Sequence, residues 1–173
     1  MNQISTINPS TGEIIKEYNS MTKEEINDLV RKSKDSFQTW RQDYDKRAAH
    51  LYDAAHTFRK DKERLARVIT EEMGKPIKES RSEIEKCAWA MEYFADNGRT
   101  FLTGEVLNTD ARRSFVTFEP FGVVGSIMPW NFPFWQALRF ASPSLMAGNT
   151  IILKPASSTM QCGIEIEDTF QKA

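Results

Sequence analysis

The 173-residue chain is poor in several features that would each point to a particular function. Its only cysteines are Cys87 and Cys162. That pair makes neither a disulfide framework nor a zinc-ligand pattern, and the chain reads as a protein of the reducing cytoplasm with no metal site. The formal net charge of −1 gives no argument for nucleic acid or an anionic membrane as partner. No apolar run reaches the length of a membrane span. The first residues, MNQISTINPSTGEI, lack the basic segment and apolar core of a signal peptide. No Gly-x-Gly-x-x-Gly follows a strand-like run, so the common dinucleotide fingerprint is missing. No repeat at a solenoid period is present. His50 and His56 stand six apart on one predicted helix, off a common face, and read as structural or exposed.

What is present is a globular composition, 40% hydrophobic and 27% charged, in a length that suits one domain with a real core. Asn8 to Gly12 signals a turn, with a short strand over residues 13–18. Thr22 and Glu25 form a capping-box pattern, after which Ile26, Leu29, Val30, Ser33, Phe37 and Trp40 trace one helical face. A second helix, from near Asp45 to Arg59, is expected to bury Ala48, Leu51, Tyr52, Ala55 and Phe58. A third restarts at Asp61, turns Leu65, Val68, Ile69 and Met73 inward, and stops at Gly74 and Pro76. A fourth covers about Ile77 to Arg99, with Ile84, Cys87, Ala88, Met91, Phe94 and Ala95 as its apolar stripe. The carboxylates of these helices read as solvated faces. A loop begins at Thr103-Gly104-Glu105, and Arg112 to Glu119 alternates as a strand does.

The chain is organised around Gly122 to Ser157. Gly122 to Met128 is an almost uncharged run of the kind found in buried parallel strands. Pro129-Trp130-Asn131-Phe132-Pro133 breaks it, and Pro133 suits the first turn of a helix. Phe134, Leu138, Ala141 and Leu145 recur at helical spacing, and Gly148-Asn149 closes the helix, both tolerating left-handed angles. Ile151 to Leu153 is a second strand, ended by Lys154-Pro155. Strand, helix and strand imply a right-handed βαβ unit with its sites at the strands' carboxyl ends, where Trp130-Asn131 and Lys154 fall. Thr159 to Ala173 reads as a further helix, with Met160, Ile164, Glu167 and Phe170 along it. Two parallel strands need neighbours. The expected fold is therefore α/β: a helical segment leading into an incomplete Rossmann-like βαβ sheet. The alternative is a small domain whose sheet is completed by the 112–119 strand and the N-terminal hairpin.

By spacing alone the candidate chemistry stays open. Asn131 could aim a neutral donor into a cleft, as an oxyanion hole requires, yet an ordinary helix N-cap accounts for it better. Lys154 could reach a ribose hydroxyl or phosphate, or be a surface lysine. Arg139, eight residues beyond Asn131, could fork onto a carboxylate from the same helical face, or be solvated.

Several motifs together resemble one family. Phe118 to Gly125, the Pro129 to Pro133 turn, Leu145 to Thr150 leading to Lys154-Pro155-Ala156-Ser157, and the early Ile7 to Glu13 and Glu72 to Pro76 segments are similar to NAD(P)-dependent aldehyde dehydrogenases. The wording PWNFPFWQALRF resembles the succinate-semialdehyde dehydrogenase subgroup. The resemblance implies that the Asn131 amide stabilises the oxyanion, and that Met128, Pro129, Trp130 and Asn131 contact the nicotinamide side of the cofactor. It further implies that Lys154, Pro155, Ala156 and Ser157 bind the adenosine ribose. Ser157, where many NAD-preferring members carry glutamate, tilts the cofactor toward NADP over NAD. Arg139 would hold a substrate carboxylate, and Phe132 and Trp135 would wall the tunnel of a small aldehyde. Residues 1–110 would be the helical part of the cofactor-binding domain, 111–120 a strand of the oligomerisation arm of a homo-oligomer, and 121–173 the first βαβ unit. The family's cysteine nucleophile and glutamate base match nothing here, so the chain resembles an N-terminal fragment that does not turn over by itself. Cys162 is expected to be a packed helix residue. The alternative is a non-catalytic dinucleotide-binding or oligomer-partner module.

Overall fold

The computed structural model describes residues 3–173. An N-terminal hairpin of β1 (Gln3–Ile7) and β2 (Ile14–Asn19) turns at Asn8, whose side-chain oxygen accepts from the Ser10 amide. Four helices follow: α1 (Lys23–Trp40), α2 (Tyr44–Lys60), α3 (Lys62–Met73) and α4 (Ile77–Phe101). The Thr22–Glu25 capping box opens α1, and Asp43 caps α2 by accepting from the Lys46 amide. Leu51, Phe58, Leu65, Ile69, Ile84 and Met91 interlock α2, α3 and α4 into the core, and Phe134 and Leu138 of the next helix close it. The stripes expected for α3 and α4 point inward.

The second half begins with a short antiparallel pair, β3 (Glu105–Leu107) and β4 (Ser114–Val116). The expected loop at Glu105 is thus a strand, and the alternating 112–119 run contributes only three residues to its pair. The βαβ unit follows as β5 (Val123–Ile127), α5 (Pro133–Met146) and β6 (Thr150–Lys154), and a single 3-10 turn (Ser157–Thr159) leads into α6 (Met160–Lys172). Strands β5 and β6 are parallel, pairing Val123 with Thr150 and Ile127 with Lys154. Among the described residues this sheet has two strands, and the three strand pairs stay separate. The alternative in which the hairpin and the 112–119 strand complete one sheet does not form.

Four further expectations need correction. Strands β5 and β6 are not enclosed: Ile127 is 79% exposed, because its side chain projects from the face of β5 opposite buried Ser126, which no described element covers there. Tyr52 lies at the surface, where its hydroxyl bonds to Asp96. In α6 the enclosed face is Cys162, Ile166 and Thr169, while Glu167 faces solvent. At the end of α5, Gly148 takes a left-handed φ of 94° but Asn149 does not. Asn149 instead accepts from the Gly122 amide and donates to the Ser144 carbonyl, tying the helix end to the start of β5. Arg47, almost enclosed, bonds the carbonyls of Trp40, Arg41 and Met146, so one guanidinium joins the C-terminal ends of α1 and α5. No helix among the described residues is long and apolar enough to cross a membrane.

Candidate functional site

The parallel register decides what meets at the carboxyl end of the sheet. Ile127 lies opposite Lys154, and the Met128 amide continues the ladder by donating to the Lys154 carbonyl at 3.1 Å. The two chain segments leaving the strands, Met128 to Asn131 and Lys154 to Ser157, therefore start side by side. Met128 packs against the core, while Trp130, Asn131, Lys154 and Ser157 are exposed. Among the described residues the Lys154 ammonium bonds only to the carbonyl of the next residue, Pro155, at 3.0 Å. Pro155 and Ala156 are half-buried; Pro155 rests on Gly163 of α6, where a Cβ would stand 2.6 Å from the proline Cγ.

Asn131 is not a helix cap. The N-cap position of α5 belongs to Phe132, and the Asn131 amide has no partner among the described residues. Since Asn131 precedes the helix, its eight-residue spacing to Arg139 does not place them on one face. Arg139 shares a face of α5 with Trp135, four residues back, and makes no hydrogen bond or ion pair among the described residues. The two proposed tunnel aromatics each carry an ammonium on one side: Lys75 lies 3.6 Å from the Phe132 ring centroid and Lys86 lies 4.0 Å from that of Trp135.

The helix starts beside these turns hold what sequence reasoning missed. Glu83 of α4 is enclosed and accepts, on one oxygen, the amides of Phe134 and Trp135 at 3.0 Å each. Its other oxygen pairs with enclosed Lys75. Glu72 of α3 does the same for α6, accepting from the Gln161 and Cys162 amides at 2.9 Å each. Glu165, also enclosed, takes Arg64 at 2.5 Å and Gln161 at 3.0 Å. These carboxylates are therefore not solvated faces. A signal was available: Glu83 stands four residues before Cys87 and Glu72 three after Ile69, within the apolar stripes. With their first amides occupied by protein carboxylates, α5 and α6 do not offer the bare helix N-terminus that cradles phosphate, in keeping with the missing glycine fingerprint.

Both thiols are enclosed. Burial pushes the Cys87 thiol well up, with the charge of Glu83 adding to it, and burial followed by Glu72 does the same to Cys162. Neither is a reactive thiolate. A cleft of about 550 Å3 lined by Arg41, Tyr44, Arg47, Arg99 and Pro120 contains none of the residues at the strand ends. Its arginines are already engaged, Arg41 with Glu119, Arg99 with Asp45, and Arg47 with carbonyls. Among the described residues no group of three His, Cys, Asp or Glu is placed to hold a metal ion.

The sequence model of the aldehyde dehydrogenase family matches residues 1–173. The chain belongs to the aldehyde dehydrogenase family. It is 40% identical over 171 residues to a Synechocystis sp. protein named as a probable succinate-semialdehyde dehydrogenase (NADP+), and 35% identical over 173 residues to a succinate-semialdehyde dehydrogenase (NADP+) of Mycobacterium leprae. Each alignment covers 98% of this chain and 38% of the relative, so the chain spans well under half the length of the curated aldehyde dehydrogenases it matches. The crystal structure of succinic semialdehyde dehydrogenase from Streptococcus pyogenes in complex with NADP+ superposes with a TM-score of 0.94 at 29% identity, over 98% of this chain and 38% of that one. The α/β architecture is that of the N-terminal part of aldehyde dehydrogenase structures.

Proposed function

We propose that this chain carries the oxyanion donor and the adenosine-ribose half of the cofactor site of an NADP+-dependent aldehyde dehydrogenase acting on succinate semialdehyde. The overall change is aldehyde, water and NADP+ to carboxylic acid, NADPH and a proton. The observation that carries the reading is the β5–β6 register, which starts the Asn131 turn and the Lys154 loop at one end of a sheet in a member of this family. Asn131, neutral and without a hydrogen-bond partner among the described residues, would donate to the aldehyde oxygen as it gains charge. Trp130 and Met128 would border the nicotinamide, and Lys154 and Ser157 would meet the ribose and its 2′-phosphate. These residues fit that group: the lysine is committed only to a neighbouring carbonyl, and no carboxylate stands among residues 154–157 to repel a phosphate. NAD is the weaker alternative for the same site. When bound, the nicotinamide supplies the hydride acceptor. Arg139, unpaired among the described residues, would hold the distal carboxylate of the substrate, with Phe132 and Trp135 beside its carbon chain. On this reading the nucleophile would come from residues outside this chain, since both thiols here are enclosed and burial pushes each well up.

On this reading residues 1–110 are the helical part of the cofactor domain, 111–120 belong to an oligomerisation arm, and 121–173 are its first βαβ unit. A second reading, a partner module for another copy or a homologue, draws on the β3–β4 pair, which leaves Val106 and Phe115 largely exposed. The test is an NADP+ titration followed by tryptophan emission. Lys154→Ala is expected to weaken binding about tenfold, the loss of a charge-assisted contact. Ser157→Glu should weaken NADP+ and spare NAD+. Equal affinities for NADP+ in wild type and Lys154→Ala would reject the ribose assignment. The purified chain alone should form no NADPH from succinate semialdehyde; turnover would reject the assignment of the nucleophile to residues outside it.

A further inference from the structure

Asn131 is the residue on which the proposed chemistry depends, yet its own side chain makes no hydrogen bond among the described residues that would orient it. Its position must be set by what holds the backbone on either side. On the upstream side the Met128 amide is pinned to the Lys154 carbonyl, three residues away. On the downstream side the anchor is a buried charge pair. The Glu83 carboxylate takes the Phe134 and Trp135 amides on one oxygen and Lys75 on the other, and the side chains of Lys75 and Glu83 are 7% and 1% exposed. The same Lys75 ammonium covers the ring of Phe132, the residue directly after Asn131.

We infer that Glu83 and Lys75 are positioning residues for the Asn131 donor. The inference rests on the reading of Asn131 given above. A buried carboxylate accepting two amides and an ammonium is charge-assisted on every contact, so it fixes the first turn of α5 more firmly than a neutral cap would. The ammonium extends that grip past the helix start to Phe132. The exposed amide is thereby suspended between two fixed points, the β-ladder at Met128 and the carboxylate at Phe134. An electrostatic donor works only if it need not reorganise when charge develops, and a rigid turn around a free amide meets that requirement. A plain fold-stabilising ion pair would need neither the shared oxygen at the α5 start nor the ring of Phe132.

The test uses this chain without cofactor, so its outcome is independent of whether NADP+ binds; the titration above is the separate check on the site itself. Removing one partner strands a buried charge, so Lys75→Met/Glu83→Gln, which removes both, is made beside Glu83→Gln and Glu83→Ala. Hydrogen exchange at the Phe134 and Trp135 amides is expected to speed up by about tenfold to a hundredfold in Glu83→Ala, and less in Glu83→Gln, which keeps an acceptor. In the double variant the Asn131 side-chain amide resonances and the Trp130 emission should shift while the slow exchange of α2 and α3 is kept. Should the double variant fold with wild-type Asn131 and Trp130 signals, whatever its melting temperature, Glu83 and Lys75 only stabilise the fold and the inference is overturned.

Discussion

Leu51, Phe58, Leu65, Ile69, Ile84 and Met91 of α2, α3 and α4 are fully enclosed, whereas Phe121, Ile127 and Trp130 around β5 are 97%, 79% and 56% exposed. The first region supplies most of the core: the apolar stripes of α2, α3 and α4 pack together, and Phe134 and Leu138 of α5 close them over. The second is held from outside. Its helix starts are gripped by Glu83 and Glu72, carboxylates of the first region, and its strands leave open edges. The difference separates stability from chemistry. Apolar burial concentrates in the helices, while Asn131 and Arg139, without polar partners among the described residues, and Lys154, bonded to its neighbour's carbonyl, stand at the carboxyl ends of strands or on the helix between them. A rigid helical block can thus present a polar, water-facing surface without relying on that surface for its own folding.

The comparison breaks first at Phe58. Its ring meets Phe134 edge-on at 5.8 Å, so Phe58→Ala is expected to cost about 3–5 kcal/mol in urea unfolding, while Phe121→Ala should change stability by less than about 0.5 kcal/mol. Similar costs at the two sites would remove the distinction. Next in size is Gly163→Ala, which sets a methyl against the Pro155 ring. Overpacking there should cost about 1–3 kcal/mol and displace the Lys154–Ser157 loop, weakening NADP+; unchanged cofactor affinity would show that α6 does not hold that loop. The smallest effect lies on the helical surface. Arg59, with Lys62 second, holds the Glu85 carboxyl below its usual range. A carboxylate depressed in the folded state contributes stability at neutral pH that disappears as pH falls through its folded pKa. Glu85→Gln, which leaves the Arg59–Glu92 pair in place, should therefore lower stability at neutral pH and flatten the acid side of the stability curve. Both groups are more than a third exposed, so the change should stay under about 1 kcal/mol. Urea midpoints at about pH 7 and about pH 3 read it directly, and an equal loss at both would rule the linkage out.

The same division explains what could be read from the sequence. Helices α1 to α4 and the stripes of α3 and α4 follow from 3.6-residue periodicity, and their stops from Gly74 and Pro76, because these are local properties. The β5–α5–β6 order was legible from two aliphatic runs around a proline turn. Tyr52 was misplaced because periodicity gives a face and not how far the neighbouring helices cover it. In α6 the line of Met160, Ile164, Glu167 and Phe170 missed the enclosed face of Cys162, Ile166 and Thr169, because the apolar residues lie on more than one face. The buried carboxylates were missed for a different reason. Their partners are distant in sequence, Glu83 bonding amides 51 and 52 residues on and Glu72 amides 89 and 90 residues on. A glutamate in an apolar stripe announces only that something must satisfy it. The candidate site was legible as motifs, Trp130-Asn131 and Lys154 to Ser157, but not its supports, and spacing alone wrongly favoured a cap role for Asn131.

The most direct measurement is amide hydrogen exchange of the intact chain with and without NADP+. The α2–α4 amides should be the slowest in both samples, and NADP+ should slow exchange around residues 128–132 and 154–159. Protection by NADP+ confined to the Arg41–Arg47–Arg99 cleft, or found at neither strand end, would contradict the placement of the cofactor site.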